Sequence, residues 1–188
     1  MPRPNARPGR GAPENRTPDR FNLPTREADG DWLDARDGVD GEAPPLRTTV
    51  TVEHPRTIIA RNSSPDIGFD RSINPYRGCE HGCIYCFARP THSYLNLSPG
   101  IDFETRIVAK VNAAERLRAE LSSPRYVPRA LNIGSATDAY QPIERRLGIT
   151  RSVLEVLAET RHAFSVITKS SGVERDIDLL APLARDNL

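Results

Sequence analysis

Three cysteines, Cys79, Cys83 and Cys86, fall within eight consecutive residues, and the rest of the 188-residue chain contains none. They sit in the run Gly78-Cys79-Glu80-His81-Gly82-Cys83-Ile84-Tyr85-Cys86-Phe87. An odd set of thiols packed this tightly makes a poor disulfide framework and reads as a metal site. Thiolate is a soft ligand that suits iron, and a C-x3-C-x2-C loop can wrap three corners of one cubane cluster. The fourth iron then has no protein ligand. No fourth cysteine is present to supply one, whereas a cluster built for electron transfer normally takes four. Gly78 and Gly82 give the backbone freedom to approach the cluster closely. Two other chemistries compete for these residues. The three cysteines with His81 or His92 could form a Cys3His structural zinc site. The thiols could also be a catalytic nucleophile or plain buried side chains.

The elements that must hold this loop alternate strand and helix from Ser72 onward. Ser72 to Tyr76 reads as a weak strand leading into the cysteines. Asp102 can cap a helix running to about Leu121, with Ile107, Val108, Val111, Ala114, Leu117 and Leu121 on one face. Ser122-Ser123-Pro124 stops it. Ala130 to Ser135 is a short apolar strand, and Thr150 can cap a second helix through about Arg161. Ala163 to Lys169 is a third strand, and Asp176 starts a third helix with Ile177, Leu180 and Leu183 on one side. The order β-α-β-α-β-α predicts a parallel sheet with right-handed crossovers. Functional residues of such folds collect at the C-terminal ends of the strands. The cysteine loop follows the first strand, Gly134-Ser135-Ala136-Thr137-Asp138 follows the second, and Thr168-Lys169-Ser170 ends the third. Parallel strands would bring all three to one mouth. Taken singly, a lysine at a strand end is also a common solvated terminus, and a Ser-x-Thr-Asp run a common helix-capping turn. Three units are too few to close a barrel, and an open three-stranded sheet leaves an unpaired edge. The expectation is a truncated chain, or one completed by a partner.

Outside this core the chain is less informative. Residues 1–46 hold eight of the 17 prolines and few large apolar side chains, basic in the first half and acidic in the second. Such a stretch buries too little apolar surface to offset its ordering entropy and predicts a disordered, solvated tail, with a basic arm touching nucleic acid or a partner as the functional alternative. Residues 47–71 form an extended segment ahead of the main fold. Within it, Thr49 to Ala60 is rich in β-branched residues and broken by His54-Pro55, and reads as a short hairpin or an irregular extension. With 26 basic against 25 acidic residues, net +1, the whole chain presents no strongly basic nucleic-acid surface. No apolar run is long enough to span a bilayer and no apolar leader opens the sequence, which places the protein in the cytoplasm.

The cysteine spacing, with Tyr85 just before the last cysteine, resembles the signature of the radical S-adenosylmethionine (SAM) superfamily. Longer stretches sharpen the likeness: Ser72-Ile73-Asn74-Pro75-Tyr76-Arg77-Gly78-Cys79, Tyr85-Cys86-Phe87-Ala88-Arg89, Thr137-Asp138-Ala139-Tyr140-Gln141-Pro142-Ile143-Glu144 and Ile167-Thr168-Lys169-Ser170 are similar to the branch described as DNA repair photolyases, related to spore photoproduct lyase. The resemblance covers roughly residues 62–188. It implies an α/β fold, the N-terminal half of a partial (β/α)6 barrel over residues 72–188, and a [4Fe–4S] cluster on Cys79, Cys83 and Cys86. In that superfamily the open iron binds the amino and carboxylate groups of SAM, and reduction cleaves SAM to methionine and a 5′-deoxyadenosyl radical that abstracts hydrogen from substrate. The resemblance further implies that Ser135 and Lys169 contact SAM, that Tyr85 lies near the adenine, and that Asp138 meets a polar group of SAM or substrate. A cationic Lys169 suits the SAM carboxylate. It also implies a reductase or flavodoxin-type electron donor and a nucleic-acid substrate as one option. No catalytic side chain is assigned. Spore photoproduct lyase uses a further cysteine as hydrogen donor, and this chain has none. Arg77, Arg89 and His92 surround the loop; they could bind phosphate or tune a cluster's potential, or pair with Glu80 and neighbouring carboxylates, and carry no assigned role.

Overall fold

The computed structural model describes Gly11, Ala12, Asn15, residues 47–186 and Leu188. Two sheets organise the fold. In the larger, β3 (Arg71–Ile73), β6 (Leu131–Ile133) and β7 (Phe164–Val166) lie side by side in parallel, and β2 (Ile59–Arg61) adds antiparallel to the outer side of β3. β6 and β7 fall within the predicted strands, whereas β3 begins at Arg71, one residue before the predicted Ser72, and ends at Ile73; the three are neighbours in chain order. Ile73, Leu131 and Ile133 are fully buried, as expected of strands covered on both faces.

The smaller sheet was not anticipated. β1 (Thr49–Glu53) pairs in parallel with β5 (Arg106–Lys110), from Thr49 opposite Arg106 to Glu53 opposite Lys110, and β4 (Tyr76–Arg77) joins β5 antiparallel. The predicted helix from Asp102 to Leu121 is therefore three elements: α1 (Ile101–Thr105), β5, and α2 (Ala113–Leu121). Ile107 and Ala109 are buried while Arg106 is exposed, which is the period-two pattern of a strand. A short apolar run fits both periods, and pairing with β1 decides between them. Asp102 lies in the first turn of α1, whose N-cap is Gly100, and Val111 is exposed. Likewise Thr49 to Ala60 is neither a hairpin nor an irregular extension. Its two strands belong to different sheets, so residues 47–71 are part of the fold and not a preamble to it.

Two further helices follow β6: α3 (Glu144–Leu147) and α4 (Ile149–Glu159). The N-cap of α4 is Gly148, left-handed at φ 63°, and not Thr150. Thr150 Oγ1 instead donates to the Ala139 carbonyl at 2.5 Å. Val153, Leu154, Val156 and Leu157 of α4 are fully buried in one core with Ile73, Leu117, Leu131 and Ile133. Full burial of each such side chain contributes roughly 1.5–3 kcal/mol. After β7 a 3-10 turn leads into α5 (Ile177–Arg185), capped at Asp176; Leu183 is buried and Ile177 is exposed.

Most of residues 1–46, predicted as a disordered tail, lie outside the described residues. Gly11, Ala12 and Asn15 do not fit that expectation, because all three hydrogen-bond to the folded domain. Among the described residues no helix is long and apolar enough to cross a membrane.

Candidate metal centre

The cysteine loop leaves β4 through Gly78, which has φ 81°. A Cβ there would lie 2.7 Å from the Phe103 carbonyl oxygen, so glycine is needed for both conformation and space. The next amide, of Cys79, donates to that same oxygen at 2.9 Å. Cys79 is buried against Ala88 and Phe103. Burial pushes its thiol up to about 11, against the pull of the His81 and Asp138 backbone amides aimed at the sulfur. Cys83 and Cys86 are half-buried, and the Cys86 amide donates a hydrogen bond to the Cys83 carbonyl at 3.3 Å. Ile84, Tyr85 and Phe87 between and beyond them are about four-fifths exposed (80%, 77% and 81%).

Polar side chains from the loop after β6 clamp this one in place. Gln141, fully buried, donates from Nε2 to the Gly78 carbonyl at 3.3 Å and to Thr137 Oγ1 at 3.1 Å, and accepts the Glu80 amide at 3.0 Å. Thr137 Oγ1 donates to the Gly78 carbonyl at 2.6 Å. Glu80 returns the contact by accepting the Ile143 amide at 2.7 Å. Below this lies a buried ionic tier. The Tyr76 hydroxyl donates to Glu144, which also accepts from the Thr150 amide at 3.0 Å and from Arg175 at 2.9 Å. Asp176, fully buried, accepts from Tyr140 at 3.0 Å and Arg151 at 2.8 Å, and pairs with Arg175 at 3.1 Å.

The ends of β6 and β7 bring further groups to the cysteines. Lys169 Nζ lies 2.9 Å from Cys83 Sγ and 2.8 Å from the Tyr85 hydroxyl, and both contacts hold its ammonium above the usual lysine range, the thiol contributing most. Asp138 accepts from the Tyr140 amide at 2.8 Å, Thr168 Oγ1 at 2.7 Å and the Lys169 amide at 2.9 Å. His81 Nε2 is 3.5 Å from Asp138 Oδ2, an ion-pair contact without a formed hydrogen bond. Burial raises the Asp138 carboxyl, but the His81 imidazole and these three donors outweigh it and bring it down to about 2. The stabilisation is present above the unfolded value of 3.8 and is lost as pH falls through 3.8 towards 2. Asp138→Asn in the metal-free protein is expected to remove about 2 kcal/mol of pH-dependent stability over that window, read as a flattened acid-unfolding profile.

Of the predicted site residues, Cys79, Cys83, Tyr85, Asp138 and Lys169 thus form one connected cluster. Ser135 sits beside it, accepting from Asn74 Nδ2 at 3.2 Å. Arg77 pairs with Glu53 at 3.0 Å, whereas Arg89 donates to the Cys83 carbonyl at 2.9 Å and pairs with Glu104 at 2.5 Å. His92 is fully buried, with Nε2 on the Arg106 carbonyl at 3.0 Å and its ring edge-on to Phe103. Sequence reasoning gave no role to Gln141, Thr137 or Asn74, although all three stand in the quoted stretches, and missed Glu104 altogether. The signal that points to the first two is a run of polar side chains directly after an apolar strand.

Among the described residues no three His, Cys, Asp or Glu side chains are arranged to hold one metal ion. A cubane does not require such convergence, because its thiolates bind separate irons. Backbone amides directed at the Cys79 sulfur, the open glycine conformations and a cation on the Cys83 sulfur fit that donor chemistry.

No family model matches the chain, and no solved structure does. Over 117 residues it is 42% identical to an uncharacterized protein of Mycobacterium tuberculosis and to one of Mycobacterium bovis. The match covers 62% of this chain and 34% of each relative. An uncharacterized protein of Methanocaldococcus jannaschii is 32% identical over 107 residues, 57% of this chain and 38% of the relative. The chain thus spans about a third of the length of the curated relatives it matches.

Proposed function

We propose that this chain carries a [4Fe–4S] cluster on Cys79, Cys83 and Cys86 and takes part in the reductive cleavage of SAM in the cytoplasm, as in the radical SAM branch it resembles. The observation that carries the reading is the meeting of three loops. The Ser135–Asp138 turn and Lys169 follow parallel β6 and β7, and the cysteine loop, which leaves β4 of the smaller sheet and not β3 as the sequence suggested, meets both through Thr137 on the Gly78 carbonyl and Lys169 on Cys83. When bound, a cluster with one open iron supplies the electron that splits SAM into methionine and a 5′-deoxyadenosyl radical.

The chain's own residues then hold and orient. Lys169 offers an ammonium for the SAM carboxylate, already anchored through its amide on Asp138. Tyr85 presents an exposed ring to the adenine, its hydroxyl tied to Lys169. Asp138, ionised at neutral pH, fixes the turn that carries Lys169 and has His81 on its outer oxygen. Gln141 keeps the loop closed on Gly78. A one-electron donor of the reductase or flavodoxin type completes the supply. A net charge of +1 gives no field that selects nucleic acid as substrate, so the reading ends at SAM cleavage.

The test is anaerobic reconstitution with iron and sulfide. The expected result is broad visible absorption and, with dithionite and SAM, formation of 5′-deoxyadenosine. A colourless protein holding one stoichiometric zinc overturns the proposal. Lys169→Met is expected to weaken SAM binding about tenfold, the loss of one charge-assisted hydrogen bond, without loss of the visible spectrum.

A further inference from the structure

The carboxylate of Glu104 has no solvent exposure, and Ile101, Phe103 and Thr105 of the same short helix are buried with it. A buried charge of this kind needs a counter-charge and hydrogen-bond donors. Arg89 supplies the charge. Two of the donors come from more than ninety residues away: the amide of Gly11 at 3.2 Å on Oε2 and the amide of Ala12 at 2.9 Å on Oε1. Consecutive backbone amides converging on one carboxylate form a small anion nest. A second pair of bonds sits beside it. Asn15 Oδ1 accepts the Asp102 amide at 2.8 Å, and Asn15 Nδ2 donates to Asp102 Oδ1 at 3.0 Å.

The contact bears on the cysteine loop from two directions. Arg89, held by Glu104, donates to the Cys83 carbonyl from both Nε and Nη2. Gly11 itself packs backbone to backbone on the loop. A Cβ at Gly11 would stand 1.9 Å from the Gly82 carbonyl oxygen and 3.1 Å from the Ile84 amide nitrogen, so no side chain fits there. Gly82 lies between the first two cysteines and has φ 61°.

We propose that Gly11, Ala12 and Asn15 act as a clip that docks on Glu104, Asp102 and Gly82 and holds the Cys79–Cys86 loop in its closed form. The clip is a positioning element for the thiols. It rests on packing and hydrogen bonding, and stands whichever metal the loop takes.

The test uses the full chain, metal-free and reduced, so it is independent of SAM chemistry. Alkylation of Cys83 and Cys86 is followed by mass spectrometry, alongside amide hydrogen exchange over residues 79–90. Gly11→Ala is expected to accelerate both about tenfold, since the loop opens without its clip. Asn15→Ala, which removes only the second pair of bonds, is expected to accelerate them about threefold. Gly68→Ala is the matched control, because a Cβ there meets nothing within 4 Å, and it leaves the rates unchanged. A synthetic peptide of residues 8–18 added to the Gly11→Ala protein restores the slow rate, and the same peptide carrying that substitution does not. Rates within about twofold of the unaltered chain overturn the proposal. Acceleration spread evenly into β6 and α4 overturns it as well, because that is loss of the domain and not release of a clip.

Discussion

Cys83→Ser is expected to remove the visible absorption of the reconstituted protein and to lower 5′-deoxyadenosine formation more than 100-fold, beyond the roughly 10–100-fold seen when outer partners of a metal site are removed. The reason lies in the ligand. A serine hydroxyl is a hard oxygen and stays protonated at neutral pH, so it replaces a thiolate poorly on iron. Cys83 is also the sulfur that Lys169 touches, which makes it the point where the proposed cluster and the proposed SAM cation meet. The substitution has little to disturb in the fold, because Cys83 is half-buried and its carbonyl, not its side chain, receives Arg89. The melting temperature of the metal-free protein is therefore expected to stay near that of the unaltered chain. Cys79→Ser loses the cluster too, but it also replaces a buried sulfur packed on Ala88 and Phe103 with a smaller, more polar group, and its stability falls. Retention of a full spectrum and SAM cleavage by Cys83→Ser sinks the proposed function, whatever becomes of the clip.

Glu144→Ala is expected to destabilise the domain by about 3–5 kcal/mol, the range for breaking a buried ion pair by removing one partner. For a chain of this size that corresponds to a melting temperature lower by roughly 10 °C. Glu144 is almost fully buried and collects the Tyr76 hydroxyl, the Thr150 and Arg151 amides and the Arg175 guanidinium. Without it, the two amides at the start of α4, the Arg175 guanidinium and the Tyr76 hydroxyl lose this acceptor. Burial and the Glu144 charge push the Tyr76 hydroxyl far above its ordinary value, so it remains a donor at all working pH. Tyr76→Phe removes one bond and is expected to cost about 1–2 kcal/mol. The two substitutions share that bond, so the double variant should lose less than the sum. Thermal unfolding followed by circular dichroism measures all three. Because Tyr76 directly precedes Arg77 and Gly78, loosening of this tier also reaches the cysteine loop. Additive losses would show that Glu144 and Tyr76 act separately and that the tier does not brace the loop.

Some of this was legible in the residues. Three cysteines at fixed spacing, with none elsewhere, are the basis of the proposed metal loop, because ligand chemistry depends on side-chain type and short-range spacing. Strands β6 and β7 were readable from short apolar stretches bounded by turns, and with them the meeting of Asp138 and Lys169 near Cys83; β3, Arg71-Ser72-Ile73, holds one apolar residue and read only weakly. Strand β5 was not. Arg106 to Lys110 carries an apolar pattern that satisfies helix and strand alike, and only the β1 backbone alongside it settles the matter. Gln141 and Glu104 were not legible either, because a polar residue's burial depends on donors far away in sequence. The same holds for Gly11, Ala12 and Asn15. Their surroundings are too poor in apolar residues to order themselves, and it is Glu104, a fully buried carboxylate that accepts the Gly11 and Ala12 amides, that gives them a place. The sequence by itself determined which thiols stand together; the tertiary structure decided which cation, carboxylate and distant amides surround them, because those contacts exist only once the sheets have formed.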